Sequence, residues 1–194
     1  VTMEFFGRNS LPAQIQWDGL IDNGPSPEGE YTARLDITYE KGDVLEKVSA
    51  PFVLDNSAPE VAINLGPKPF SPDNDGNDDE LTFGFQVQEL AGVAQWKLDI
   101  RDPQGNPFQS FKGDGTPART LVWDGRSSTG ELVQAAVDYP YTLSITDVLG
   151  QSNEFTGIIP VDILVIKIGN RFKIAVPSIT FAPNSPQLVF DNSE

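Results

Sequence analysis

The sequence has no cysteine and no histidine. The first absence excludes disulfides, thiolate catalysis and thiolate zinc sites. The second excludes a histidine general base, a histidine-containing triad and imidazole metal ligands. Basic residues are scarce, with 13 Lys and Arg against 28 Asp and Glu, for a net charge of −15. A surface of that sign repels nucleic acid and anionic lipid, so neither is expected as a direct partner. Long apolar runs are missing as well. The longest candidate, residues 158–166, is interrupted by Pro160 and Asp162, so no segment is expected to insert in a membrane. Glycines lie at turn spacings and none opens a helix in the pattern of a phosphate-binding loop. Helical periodicity is nearly absent too, because 16 Pro and 17 Gly are spread through the chain.

What is present is alternation. Residues 31–38, 81–87, 96–100 and 141–146 each read as a half-buried strand with one apolar face. Turn formers separate them, as at Lys41-Gly42-Asp43, Asp102-Pro103-Gln104-Gly105-Asn106 and Leu149-Gly150. Apolar residues make up 39 % of a 194-residue chain, enough for one or two cores. Many short strands at this spacing predict an all-β sandwich.

The pattern also repeats. Trp17-Asp18-Gly19 recurs as Trp123-Asp124-Gly125, and a Gly lies seven residues beyond each Trp, at Gly24 and Gly130. Tyr31-Thr32 then pairs with Tyr141-Thr142, and Gly42 with Gly150. In this motif the indole is expected to plug one end of a sandwich core while Asp-Gly turns the chain, with Gly free to take positive φ. The second copy reads as complete. The first has only sixteen residues before its Trp, so it is expected to lack its early strands or to borrow them from sequence outside this one; Val1 is not an initiator Met, and the chain reads as processed, trimmed or excerpted.

Residues 70–81, Phe-Ser-Pro-Asp-Asn-Asp-Gly-Asn-Asp-Asp-Glu-Leu, concentrate acids and turn formers. Asp73, Asp75, Asn77 and Asp79 alternate, which in an extended strip places their oxygens on one side. Hard cations such as calcium take several oxygens supplied in this way. The spacing is not that of an EF-hand, since Gly76 comes fourth from Asp73 and the twelfth position is Gly84. Two readings stand: a calcium-stabilised turn held by these four residues, or a structural turn without any cofactor.

This stretch resembles the opening of bacterial extracytoplasmic immunoglobulin-like domains, related to the one in flagellar hook-capping proteins. The resemblance implies a β-sandwich with a Trp-Asp-Gly turn ahead of a Tyr-containing strand. Further on, Ser178-Ile179-Thr180-Phe181 with Asn184-Ser185 and Leu188 looks like the first strand and helix start of the outer-membrane protein A (OmpA)-like peptidoglycan-binding domain. It implies peptidoglycan as a partner through a domain beginning near Ser178. The glycopeptide-binding residues of that family lie beyond this opening, so none is carried over. The expected organisation is a partial sandwich over residues 1–56, a complete one over 57–165, and a linker leading into the further domain over 166–194. Residues 171–181 are expected to form a strand with no partner in the second sandwich.

Candidates for chemistry are weak. Asp99 with Asp102, or Asp124 with Glu131, could be nominated as the carboxylate pair of a cell-wall glycan hydrolase, but nothing in their spacing separates them from solvated acids. Ser127-Ser128-Thr129 has no base beside it. Trp17, Trp96 and Trp123 could form a sugar platform, although the repeat assigns the first and last to a core. The expected function is therefore non-catalytic: a structural spacer of a bacterial cell-envelope protein, in the periplasm or on the periplasmic face of the outer membrane. A protein- or glycan-binding module using loops at residues 113–119 and 126–131 is the alternative, possible partners including other envelope proteins.

Overall fold

The computed structural model describes residues 4–8, 12–21, 24–162, 164–168, 171–175, 180–181 and 188–189. Among these there are seventeen strands and no helix, and the chain is all-β. It divides into two compact units, Val1–Ser57 and Ala58–Glu194.

In the first unit, β1 (Leu20–Ile21) pairs with β2 (Gly24–Pro25), β3 (Gly29–Tyr31) with β6 (Phe52–Leu54), and β4 (Arg34–Thr38) with β5 (Val44–Val48), all antiparallel. The predicted strand at 31–38 is thus split, with Thr32 and Ala33 between its halves. Glu28 accepts hydrogen bonds from Asn56 N (2.9 Å) and Ser57 Oγ (2.6 Å), which ties down the last residues of this unit.

The second unit contains a seven-stranded antiparallel β-sandwich with immunoglobulin-like connectivity. One sheet has the order β11 (Thr120–Trp123), β8 (Leu81–Gln88), β7 (Glu60–Gly66). The other runs β10 (Pro107–Asp114), β9 (Val93–Arg101), β12 (Asp138–Asp147), β13 (Ser152–Pro160). Period-two alternation turns Leu81, Phe83 and Phe85 of one sheet towards Leu98, Ile100, Tyr141, Leu143 and Ile145 of the other, and all eight are buried. Phe83 meets Tyr141 edge-on at 5.6 Å between centroids, and Phe85 lies 6.4 Å from Trp96.

The repeat is visible as hydrogen bonds. The indole N–H of Trp17 donates to Leu20 O (2.9 Å) and that of Trp123 to Arg126 O (2.8 Å). Asp18 Oδ1 accepts from Leu20 N (3.0 Å), and Asp124 Oδ1 from Arg126 N (3.1 Å). Gly19 and Gly125 both take positive φ, 79° and 77°. Downstream the registers coincide: Arg34 opposes Val48 in the first unit, and Thr142 opposes Thr156 in the second, each 108 residues on.

That register corrects the Tyr pairing. Tyr31 corresponds to Tyr139, not to Tyr141. Each phenol closes a corner just upstream: Tyr31 Oη donates to Pro27 O, and Tyr139 Oη accepts from Gln134 N at 2.9 Å. This is the tyrosine corner of immunoglobulin-type sandwiches. Tyr141 instead faces the opposite sheet through Phe83. Tyr139→Phe would leave the Gln134 N–H without its acceptor, and is expected to destabilise the second unit by about 1 kcal/mol in denaturant unfolding.

Burial separates the two Trp residues. Trp123 is 2 % exposed, whereas Trp17, expected to be mostly buried, is only half-buried. Phe70 and Phe108 cover Trp123, with centroids at 5.6 and 6.2 Å. Both come from chain ahead of the Trp turn, and the described part of the first unit has no such strands there. Trp17 has Tyr31 (5.2 Å) and Phe52 (6.3 Å) for company.

Beyond the sandwich, β14 (Leu164–Ile168) pairs antiparallel with β15 (Arg171–Ala175), and β16 (Thr180–Phe181) with β17 (Leu188–Val189). The first half of the 171–181 strand therefore pairs with β14, which belongs to neither sheet of the sandwich, and not with a strand of the sandwich itself. Residues Ile168-Gly169-Asn170-Arg171 connect β14 and β15, and a Gly-Asn pair between two apolar strands is a hairpin signal. Ser178, Ile179, Asn184 and Ser185, which carry much of the OmpA-like resemblance, lie outside the described residues.

Candidate functional site

The 70–81 stretch has a buried half and an exposed half. Phe70 is fully buried and is held by its backbone: Phe70 N donates to Pro160 O (3.0 Å), and Asp162 N to Phe70 O (2.9 Å). Pro72, also buried, packs on Gly125, where an added Cβ would come within 2.7 Å of Pro72 Cγ and 3.0 Å of Phe70 Cζ. The two motifs singled out in the sequence thus lie directly against each other, closing one end of the core around Trp123.

The exposed half folds back on its own carboxylates. Asp79 accepts from Asn74 N (2.6 Å) and Gly76 N (2.8 Å), Asp73 from Asp75 N (3.2 Å), and Asp75 from Asn77 N (2.8 Å). Asn74 and Asp78 take positive φ, which these residue types tolerate. One carboxylate oxygen from each of Asp73, Asp75 and Asp79 lies within 4.8 Å of the others. Calcium–oxygen bonds of ~2.4 Å place opposite ligands about 4.8 Å apart, so a single ion fits among the three. Asn77 is placed differently, with its amide nitrogen 3.3 Å from Asp75 Oδ1 as a donor. The donor set is hard oxygen, which suits calcium, while the backbone bonds alone also account for the turn. Calcium is expected to raise the melting temperature of the second unit relative to chelator, and Asp75→Ala to reduce that rise. Equal melting of wild type with calcium and with chelator would leave only the structural turn.

The other candidates disperse. Residues 113–119 begin in the last two positions of β10 and run past its end, where Gly115 N donates to Ala94 O (2.8 Å) near the start of β9. Residues 126–131 lie at the other end, where Ser128 N donates to Phe108 O (3.0 Å) near the start of β10. The eight residues of β10 between them span roughly 25 Å, so the two loops do not form one surface. Ser127 is buried, its Oγ accepting from Thr129 N (3.2 Å) and Glu131 N (3.0 Å) as a turn-forming hydroxyl.

Neither Asp99 nor Asp102 has the raised pKa of a general acid. Partial burial pulls the Asp99 carboxyl up, but hydrogen bonds from Lys97 and Ser110 and the charges of Lys97 and Arg101 outweigh it, and the net direction is down. Asp102 is also held below the ordinary range, first by the Asn106 side chain, with burial opposing and backbone N–H groups of Asn106, Gln104 and Gly105 adding to the lowering. Asp124 lies beside Arg126, its Oδ2 3.7 Å from Nε. Trp96 points inward to Phe85 and lies beneath Gly113. It also lines a groove with Lys97, Lys112, Asp114, Ser144 and Thr146.

No protein-family model matches this chain, and no curated protein matches it. Sixteen solved chains do. Dimeric latent PorU from Porphyromonas gingivalis superposes with a TM-score of 0.44 and 18 % identity, over 72 % of this chain and 13 % of that one. Carbohydrate-binding modules of the β-sandwich superfamily, described for promiscuous specificity, superpose with a TM-score of 0.39 and 20 % identity, over 56 % of this chain and 36 % of theirs. The chain thus spans far less than two thirds of either.

Glu89 and Asp147 escaped sequence reasoning. They lie 58 residues apart in the chain, and neither sits in a motif. Each closes a strand of the sandwich, Glu89 following β8 and Asp147 ending β12. The only available signal was comparison of the repeats, which sets Asp147 against Tyr39.

Proposed function

We propose that this chain is a non-catalytic structural segment of a bacterial cell-envelope protein, a spacer built of immunoglobulin-like modules. The observation that carries the reading is the recurrence of one hydrogen-bonded framework, Trp turn, tyrosine corner and following hairpin, in successive units. Tandem repetition of a self-satisfied module extends a chain without requiring any chemistry at its surface. The resemblance of residues 70–81 to envelope domains supports the periplasm, or the periplasmic face of the outer membrane, as its place. The resemblance at residues 178–188 supports peptidoglycan as the partner of a domain beginning near Ser178. Calcium held by Asp73, Asp75 and Asp79 would stiffen the end of the second sandwich in this reading.

A protein- or glycan-binding module is the second reading, favoured by the groove that Lys97, Lys112, Asp114, Ser144 and Thr146 line with their polar side chains. Pull-downs from envelope fractions separate the two. The spacer reading expects recovery of partners to be unchanged by substitutions in residues 113–119, in residues 126–131 and at Lys112. Loss of one partner with any of these substitutions would favour the binding module. Release of soluble fragments from purified peptidoglycan would contradict both and favour a hydrolase.

A further inference from the structure

Asp147 ends β12 with its side chain 1 % exposed. Its Oδ1 accepts from Leu149 N and Gln151 N, both at 2.8 Å, but its Oδ2 is buried with no hydrogen-bond partner. An unpaired buried carboxylate oxygen is costly. A second acid aggravates this: Glu89, just past β8, brings a carboxylate oxygen within 4.8 Å of one on Asp147. The two are fixed there by their loops. Glu89 Oε1 accepts from Ala91 N (2.8 Å), and Val148 N donates to Gly92 O (2.9 Å).

The turn itself does not need the acid. The first unit closes the corresponding hairpin with Tyr39 in that position, Tyr39 N donating to Asp43 O (2.8 Å) as Asp147 N does to Gln151 O (2.9 Å). Tyr39 is half exposed. A carboxylate has thus been buried, beside another, in a turn that forms without it. A bound cation removes both the unpaired oxygen and the repulsion.

We propose that Glu89 and Asp147 bind a divalent cation of the calcium type at the end of the sandwich opposite the 73–79 loop. Backbone carbonyls and water complete the oxygen shell that such an ion takes. The site is independent of Asp73, Asp75 and Asp79, so its test is made in the Asp75→Ala variant of the full chain. There, calcium at about a hundred times its Kd is expected to raise the melting temperature on the order of 10 °C over chelator. Adding Asp147→Asn, which keeps an acceptor for Leu149 N and Gln151 N, is expected to abolish the rise. Glu89→Gln provides the same test while leaving the buried acid in place, and calorimetric titration with calcium then reads the loss of binding directly. No calcium-dependent rise in Asp75→Ala would overturn the proposal. So would a rise that survives both Glu89→Gln and Asp147→Asn.

Discussion

Trp123→Ala is expected to destabilise the second unit by about 3–5 kcal/mol, the usual cost of removing a large buried aromatic. The side chain is 2 % exposed. It stands between Phe70 at 5.6 Å and Phe108 at 6.2 Å, and Phe108 continues to Tyr139 at 4.9 Å. Alanine would open a cavity at the junction of the two motifs and leave Arg126 O without the indole donor. Trp17→Ala makes the control. It removes the same kind of indole hydrogen bond, but from a half-buried ring, and is expected to cost about 1–2 kcal/mol. Denaturant unfolding of the two variants checks the difference. Equal losses would mean that the two turns are packed alike, against the burial described above.

Gly125→Ala is the second large effect. Left-handed backbone costs an L-residue about 1–2 kcal/mol. At Gly125 the new methyl would also meet Pro72 Cγ at 2.7 Å and Phe70 Cζ at 3.0 Å. Neither ring can retreat, because Phe70 is fully buried and hydrogen-bonded at its backbone to Pro160 and Asp162. Overpacking adds about 1–3 kcal/mol, for an expected total of about 3 kcal/mol. Gly19 has nearly the same φ but only Leu54 Cδ1, at 3.8 Å, near its absent Cβ. Gly19→Ala should therefore cost about 1–2 kcal/mol, the conformational part alone. The same substitution in the same motif thus separates backbone strain from packing, and melting curves of the pair measure each.

Much of this was legible in the residues. Alternation at 81–87, 96–100 and 141–146 falls within β8, β9 and β12, because one face of each strand is buried and the period is strict. The Trp-Asp-Gly turn was legible because its geometry depends on local bonds, Asp to i+2 and indole to i+3. The Tyr equivalence was not. Tyr139 and Tyr141 both face inward on one strand, and the strand register and the bond to Gln134 tell them apart. The contact of Pro72 with Gly125 is a tertiary fact with no local signature. Among the acids, the alternate spacing of Asp73, Asp75 and Asp79 marks carboxylates that the fold brings within 4.8 Å of one another, while spacing does not reveal that the Asn77 amide donates to Asp75. The pairing of β14 with β15 was not legible from the alternation of residues 171–181 alone, because the partner is the apolar run just before it, residues 164–168.

In the proposed reading these modules hold position, and adhesion to the wall is left to a domain beginning near Ser178. Co-sedimentation with purified peptidoglycan tests it most directly, using the full-length protein beside a version ending at residue 165 and scoring both the pellet and any soluble glycan fragments. The full-length protein is expected to pellet, the shortened one to stay in solution, and neither to release fragments. Pelleting of the shortened protein, or fragment release by either, would contradict it.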